Sequence, residues 1–325
     1  MKKIFVTGGS GFIGSYVVDE LIKRGYTVLN ADIKRPVEEL HLPYWKQVDL
    51  LEKDALVYAL KEFSPTHLLH LAAKTDTDPD QTLEDYKANH IGTDNLLEAI
   101  KATPSIESVI ITSSQFVNQY HGVPKHDRDY APHTVYGESK VITEEHTRQA
   151  GLQCSWTIIR PTNIWGPRHP RYPKEFWFVL KSGRYFHPGM KPVIRSYGYV
   201  GNVSDQILAI FEADRAMVDK KVFYVGDLPV NLYDWANGFS LALNKRKVRV
   251  VPRFIVKMLA YTGDALRKLG IKFPITSSRY KSMTTGNSAP MEATLQAFGQ
   301  PRYNLQQGID ETVAWLKSKD EFWNR

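Results

Sequence analysis

Tyr136 and Lys140 stand four residues apart in "YGESK", a spacing that puts both side chains on one face of a helix. A phenol titrates near ~10 and is a poor base at neutral pH. An ammonium beside it would favour the phenolate. Such a pair can take a proton from a hydroxyl while hydride leaves the same carbon. Upstream, the apolar run of "IITSSQFVN" ends on three hydroxyls, Thr112, Ser113 and Ser114. The next two places hold Gln115 and Phe116, an amide and a phenyl ring that offer no useful general acid. Alone, a Tyr-x-x-x-Lys spacing reads equally well as an exposed helix pair. Its neighbours in the sequence decide between the two.

The first neighbour is "TGGSGFIG", with Gly8, Gly11 and Gly14. Glycines at this spacing permit a tight turn, close approach of a pyrophosphate and close helix packing. A helix opening there offers free N–H groups and a positive dipole end to the phosphates. Asp32 follows 18 residues after Gly14. Its carboxylate suits an adenosine ribose and would repel a 2′-phosphate, which favours NAD over NADP. Lys34 and Arg35 blur that preference.

These groups need a scaffold, and the chain supplies one by alternation. "KKIFVTG", "YTVLNAD", "PTHLLHLAA", "SVIITSS", "CSWTIIRP" and "KVFYVG" read as strands. "FIGSYVVDELIKRG", "DALVYALKEF", "TLEDYKANHIGTDNLLEAIKA", residues 136–149 and "VSDQILAIFEAD" read as helices, the first closed by Gly25. Strand–helix alternation predicts an α/β fold, a Rossmann-type doubly wound parallel sheet, with a smaller, mainly helical C-terminal substrate lobe. The boundaries drawn from composition are 1–165 plus 198–227 for the NAD-binding domain, and 166–197 plus 228–325 for the lobe.

Composition narrows the classes. With 42% hydrophobic and 24% charged residues, the 325-residue chain is globular rather than disordered. Its one cysteine, Cys154, forms no internal disulfide, which favours a cytoplasmic setting. No signal-peptide core and no membrane-spanning stretch is apparent. The net charge of +7 is mostly scattered, with its densest cluster in "NKRKVRVVPRF", so nucleic acid is not expected as a partner. The stretch "PRFIVKMLAYTGDALRKLGIKF" has the makings of a basic amphipathic helix, but Gly263 and Asp264 interrupt the pattern, so membrane association is not expected. His67 and His70 fall on opposite faces of a strand, and no metal site is expected. There is no Gly-x-Ser-x-Gly nucleophile elbow.

Taken together, "TGGSGFIG", "HLAA", "NHIGTDNLLEA", "ITSS", "YGESK", "RPTNIWGP" and "RSYGYVGNV" resemble the extended short-chain dehydrogenases/reductases of the NAD-dependent epimerase/dehydratase group. The matching pieces span most of residues 4–205, and "YNLQQGIDETVAWL" resembles the group's closing helix more loosely. The resemblance implies a catalytic trio of Ser114, Tyr136 and Lys140, with Ser114 also touching substrate. It implies cofactor contacts from Gly8, Gly11, Phe12, Ile13, Gly14, Asp32, Asp49, Leu50, Leu71, Ala72, Ala73, Asn89, Tyr136, Lys140 and Pro161. Asn163 and Arg195 match positions that face a substrate diphosphate, where a guanidinium fork suits paired phosphate oxygens. Arg168 and Arg171 are further cations for the same mouth. Trp165 replaces the tyrosine usual in the group's "NxYGP" motif.

The group's 4,6-dehydratases carry an Asp-Glu pair where Gln115 and Phe116 stand, and its decarboxylating members keep the glutamate. The missing acid argues against elimination and decarboxylation. The usual "VYG" has become Val117-Asn118-Gln119. Three readings follow. The first is NAD-dependent epimerisation of a nucleotide-activated sugar, at C4 through a 4-keto intermediate. The second is net dehydrogenation or reduction of a sugar or a 3β-hydroxysterol-like alcohol, and the third a non-catalytic NAD sensor. The group's habit also suggests a homodimer through residues near 84–101 and 136–149.

Overall fold

The computed structural model describes residues 2–78, 80–118, 124–271, 273–319 and 322; Gln119, part of the altered "VYG" position, lies outside them. The β-branched runs form parallel strands β1 (Lys3–Thr7), β2 (Thr27–Asp32), β3 (Trp45–Gln47), β4 (His67–His70), β5 (Ser108–Thr112) and β6 (Ser155–Pro161). With Lys221–Val225 they make a seven-stranded sheet in the order Lys221–Val225, β6, β5, β4, β1, β2, β3. Every pairing in it is parallel. The short β3 edge was not legible in the sequence pattern. The strand order reverses between β1 and β4, and a doubly wound sheet opens its ligand crevice at that switch.

The helices that matter to the site are α1 (Phe12–Lys23), α2 (Lys53–Phe63), α3 (Lys87–Lys101) and α4 (Val135–Gln149). Alternate residues of β1 supply opposite faces of the sheet. Ile4 and Val6 join Val17 and Leu21 of α1 and Val203 and Ile207 of the Val200–Glu212 helix. Phe5 joins Leu56 and Leu60 of α2 and Leu96 and Ile100 of α3. Burying each such side chain stabilises by ~1.5–3 kcal/mol. A slip of one residue would swap these faces, so the register is strongly specified. That register carries the ends of β1, β4 and β5 to one edge.

A separate aromatic core gathers Trp165, Trp177, Tyr197, Trp235 and Phe239 with Ile309 and Leu316. Tyr197 stacks on Trp235 with centroids 4.4 Å apart. Phe12 and Tyr16 of α1 pack against this core, so the two hydrophobic bodies meet beside the glycine turn. Within residues 228–325, the Glu292–Phe298 helix packs back on the main sheet: Phe298 meets Phe223, and Thr294 donates to the Tyr224 carbonyl at 2.6 Å.

The Arg253–Lys268 helix runs continuously through Gly263 and Asp264, the two residues that interrupt its amphipathic pattern in the sequence. Gly263 is there for packing: a Cβ would lie 1.9 Å from the Ile275 carbonyl oxygen. Among the described residues, no helix is long and apolar enough to cross a membrane.

Candidate active site

The glycine turn joins β1 to α1. Gly8 has φ +72°, and a Cβ on it would lie 2.5 Å from the Ala72 backbone. A Cβ on Gly14 would lie 2.1 Å from the Gly8 carbonyl oxygen, and one on Gly11 3.1 Å from it. No side chain caps α1 at Gly11, and the first-turn N–H groups of Phe12, Ile13 and Gly14 have no acceptor within the helix. An uncapped helix end above a side-chain-free cradle fits a pyrophosphate.

Asp32 ends β2 and is 8% exposed. It accepts the Ser10 amide at 3.0 Å and the Lys34 amide at 2.8 Å. Burial pushes its carboxyl above the usual range, against these amides and the Lys34 charge. On the adenine side, Asp49 accepts the Leu51 amide at 2.9 Å, and Asn95 of α3 donates to the Leu50 carbonyl at 2.9 Å. Leu71 donates its amide to Thr7 at 3.0 Å, which sets Ala72 against Gly8 and leads the chain on to Ala73. Asn89 is buried, and its amide binds both the N–H and the carbonyl of Lys74 and also Ser139. It clamps the loop after β4 to α4, so its effect on the cofactor groove runs through the backbone. Pro161 closes β6, paired with Val225.

The reacting groups converge where β5 meets α4. Thr134 caps α4 by accepting the Gly137 amide at 3.0 Å, which fixes the helix start one residue before Tyr136. Lys140 is fully buried and donates to the Thr112 carbonyl at 2.8 Å. Ser114 accepts the Phe116 amide at 3.2 Å, and its hydroxyl favours ionisation of the Tyr136 phenol. The structure thus brings Ser114, Tyr136 and Lys140 together.

Their electrostatics differ from the sequence expectation. Burial dominates: it pushes the Tyr136 phenol up to about 12 and the Lys140 amine down to about 7. It is the Ser114 hydroxyl and the Arg171 charge that favour the phenolate, against burial and the neighbouring Tyr86. Phe116, where an acid would stand, sets its ring edge-on to Tyr136 at 5.9 Å and stacks on His133 at 5.3 Å. Gln115 is buried, with neither amide atom hydrogen-bonded among the described residues.

Behind these groups lies a network that the sequence reading missed. Glu144, one further helical step past Lys140, is fully buried and accepts from Arg160 at 2.7 and 2.8 Å. It also accepts from Ser113 at 2.6 Å and Tyr130 at 2.9 Å. Ser113, the rival to Ser114, is thereby committed to the scaffold. The i, i+4, i+8 series Tyr136, Lys140, Glu144 was the available signal.

On the substrate side, Asn163 opens a short strand paired in parallel with Tyr197–Tyr199, which places it beside the Arg195 segment. Its amide reaches the Ser196 carbonyl at 3.4 Å. Arg195 donates to the carbonyls of Ser282 and Thr285, the latter at 3.1 and 3.3 Å. Arg168 turns away from this mouth: it pairs with Asp19 at 2.7 Å and Glu38 at 3.1 Å, over the Tyr16 ring. Arg171 is exposed and has no hydrogen-bond or ion-pair partner for its side chain among the described residues. His67 and His70 are buried singly, His70 against Thr7 at 2.7 Å and His67 against Phe211. Among the described residues no His, Cys, Asp and Glu cluster could hold a metal.

Comparison with known proteins gives the family. Residues 4–226 match the model of the NAD dependent epimerase/dehydratase family. The N-acetyl-alpha-D-glucosaminyl-diphospho-ditrans,octacis-undecaprenol 4-epimerase of Escherichia coli O157:H7 is 28% identical, over 96% of this chain and 94% of that protein. The decarboxylating sterol-4-alpha-carboxylate 3-dehydrogenase of Mus musculus is also 28% identical, over 96% and 90%. The crystal structure of UDP-glucose 4-epimerase with UDP-glucose from Thermotoga maritima shares the fold, with a TM-score of 0.75, 22% identity and coverage of 97% and 99%. The chain belongs to the NAD dependent epimerase/dehydratase family and is an NAD-dependent enzyme of the extended short-chain dehydrogenase/reductase type.

Proposed function

We propose that the protein inverts C4 of a nucleotide-activated sugar. The observation that carries this reading is the pairing of a Ser114–Tyr136–Lys140 centre with Phe116 on the tyrosine ring and no acid at either following position. NAD, when bound, supplies reversible hydride acceptance. Gly8, Gly11, Gly14 and the first turn of α1 would hold its pyrophosphate, and Asp32 its adenosine ribose. Tyr136 takes the proton of the C4 hydroxyl, and Ser114 holds the reacting oxygen and steadies the phenolate. Lys140, anchored on Thr112, fixes the geometry of Tyr136 and would meet the nicotinamide ribose. With no carboxylic acid at 115 or 116, a leaving hydroxide has no proton donor there, so the 4-keto sugar is reduced back rather than dehydrated. Asn163, Arg195 and Arg171 supply donors and charge for the diphosphate. A homodimer through α3 and α4 is part of this reading, as is a cytoplasmic location.

A second reading keeps this chemistry and changes the carrier to a polyprenyl diphosphate. The Escherichia coli relative, matched over nearly its whole length, is named for a sugar on such a carrier. The separating experiment offers the protein UDP-glucose, UDP-N-acetylglucosamine and a polyprenyl-diphospho-N-acetylglucosamine, and follows the sugar by NMR and NADH by absorbance. Inversion of a nucleotide sugar supports the first reading, and inversion of the lipid-linked sugar alone supports the second. Stoichiometric NADH with an oxidised product would sink both.

A further inference from the structure

The Arg253–Lys268 helix is apolar on two opposite sides. Val256, Ala260 and Gly263 are buried against the protein. Phe254, Met258 and Tyr261 follow the i, i+4, i+7 spacing on the far side and are 65%, 65% and 60% exposed. Leu269 and Ile271, just beyond the helix end, are 75% and 51% exposed, and Met190 is 60% exposed in the loop that Arg253 clasps through the Pro188 and Lys191 carbonyls. An apolar side chain left singly in water is ordinary, but a helical row of them marks a surface that meets something.

The charge around this row identifies what. Residues 245–281 contain eleven Lys and Arg and one acid, Asp264. The whole chain is +7, so this segment carries more than the total and the rest is −3. Asp264 is occupied as the acceptor of the Ser277 amide at 3.1 Å. None of the segment's described basic side chains is ion-paired among the described residues. Lys257 lies beside the row, its Nζ 5.8 Å from the Tyr261 ring. An isologous contact with a second copy would set this basic surface against itself, which like-charge repulsion opposes. An anionic bilayer meets both requirements, taking the apolar side chains below the headgroups and the lysines and arginines at them.

We propose that the exposed face of the Arg253–Lys268 helix docks the protein on the surface of an anionic phospholipid bilayer. The next helix, Ser277–Thr284, leads to the Ser282 and Thr285 carbonyls that hold Arg195, so the docked hairpin also carries the wall of the candidate diphosphate site. The docking itself does not depend on which sugar is the substrate.

The test mixes the 325-residue chain with vesicles of phosphatidylcholine, alone or with phosphatidylglycerol, and sediments them at low and high salt. Each basic residue at such a surface raises partitioning roughly fivefold. The protein should pellet with phosphatidylglycerol vesicles at low salt and be released at high salt. Phe254→Ser with Met258→Ser, and separately Lys257→Glu with Lys268→Glu, should each lower binding by roughly tenfold or more. All four side chains are exposed, so NAD binding should be unchanged in both variants and reports an intact fold. Wild-type protein that stays in the supernatant, or variants that pellet like wild type, overturns the proposal. A dimer that dissociates on Phe254→Ser with Met258→Ser, without vesicle binding, also overturns it and gives the face to a second copy.

Discussion

Replacing Glu144 by Gln tests the scaffold on which the reacting groups rest. The Glu144 and Arg160 side chains are 0% and 1% exposed, so neither charge has water to fall back on. At an effective dielectric of ~20, unit charges ~4 Å apart attract by about 4 kcal/mol. Removing one member of a buried pair costs about 3–5 kcal/mol, because the other charge is left uncompensated. The two figures agree in size. Gln also turns one acceptor oxygen into a donor, although Arg160, Ser113 and Tyr130 all donate to this carboxylate. Glu144→Gln and Arg160→Met should therefore each destabilise by about 3–5 kcal/mol. At ~2–4 °C per kcal/mol, Tm should fall by roughly 6–20 °C. Glu144→Gln combined with Arg160→Met should lose less than the sum of the two, since no bare charge remains and only hydrogen bonds worth ~1 kcal/mol each are forfeited. Thermal unfolding of the four proteins gives the coupling directly. Single variants that lose less than ~1 kcal/mol, or a double variant that loses the sum, would refute the reasoning.

Further outcomes follow from the site. Tyr136→Phe keeps the buried ring and removes the acid–base group, so turnover should fall by roughly 10²–10⁴-fold with NAD affinity preserved, as read by kinetics and calorimetry. Gly8→Ala puts a Cβ 2.5 Å from the Ala72 backbone at φ +72°, so NAD affinity should fall by at least roughly tenfold, checked by titration. Lys140 titrates at about 7 in the folded protein against an ordinary 10.5. The unfolded chain binds the extra proton between these values, so this group makes ligand-free stability rise with pH across that window. Lys140→Met should flatten the Tm–pH profile there; an unchanged slope contradicts a buried, depressed amine.

Much of the scaffold was legible because its signals are local. The strand runs, the glycine turn, Gly25 after α1 and the Tyr136–Lys140 spacing depend on residues near one another in sequence. Three features were not. Arg160 sits in a strand and Glu144 in a helix, and each alone reads as a surface charge; only the fold brings them within 2.7 Å. The Lys140 ammonium looked like the group that tunes Tyr136, yet burial dominates both groups and it is Ser114 and Arg171 that favour the phenolate; burial is a tertiary property. Gly263 and Asp264 read as interruptions of an amphipathic pattern, but the glycine serves close packing on Ile275 within one continuous helix. Arg168 and Arg171, three residues apart, also read alike. Tertiary contacts separate them, Arg168 onto Asp19 and Glu38 while Arg171, with no side-chain partner among the described residues, favours the Tyr136 phenolate.

The central claim is that Ser114, Tyr136 and Lys140 support hydride departure and return at one carbon, with no elimination and no net oxidation. It is tested most directly with a nucleotide sugar carrying deuterium at C4, followed by NMR and mass spectrometry while NADH absorbance is recorded. Inverted product that retains deuterium at C4, with no accumulation of NADH, is the outcome expected. Product that has lost water or carbon dioxide, or a 4-keto sugar formed in step with free NADH, would contradict the account.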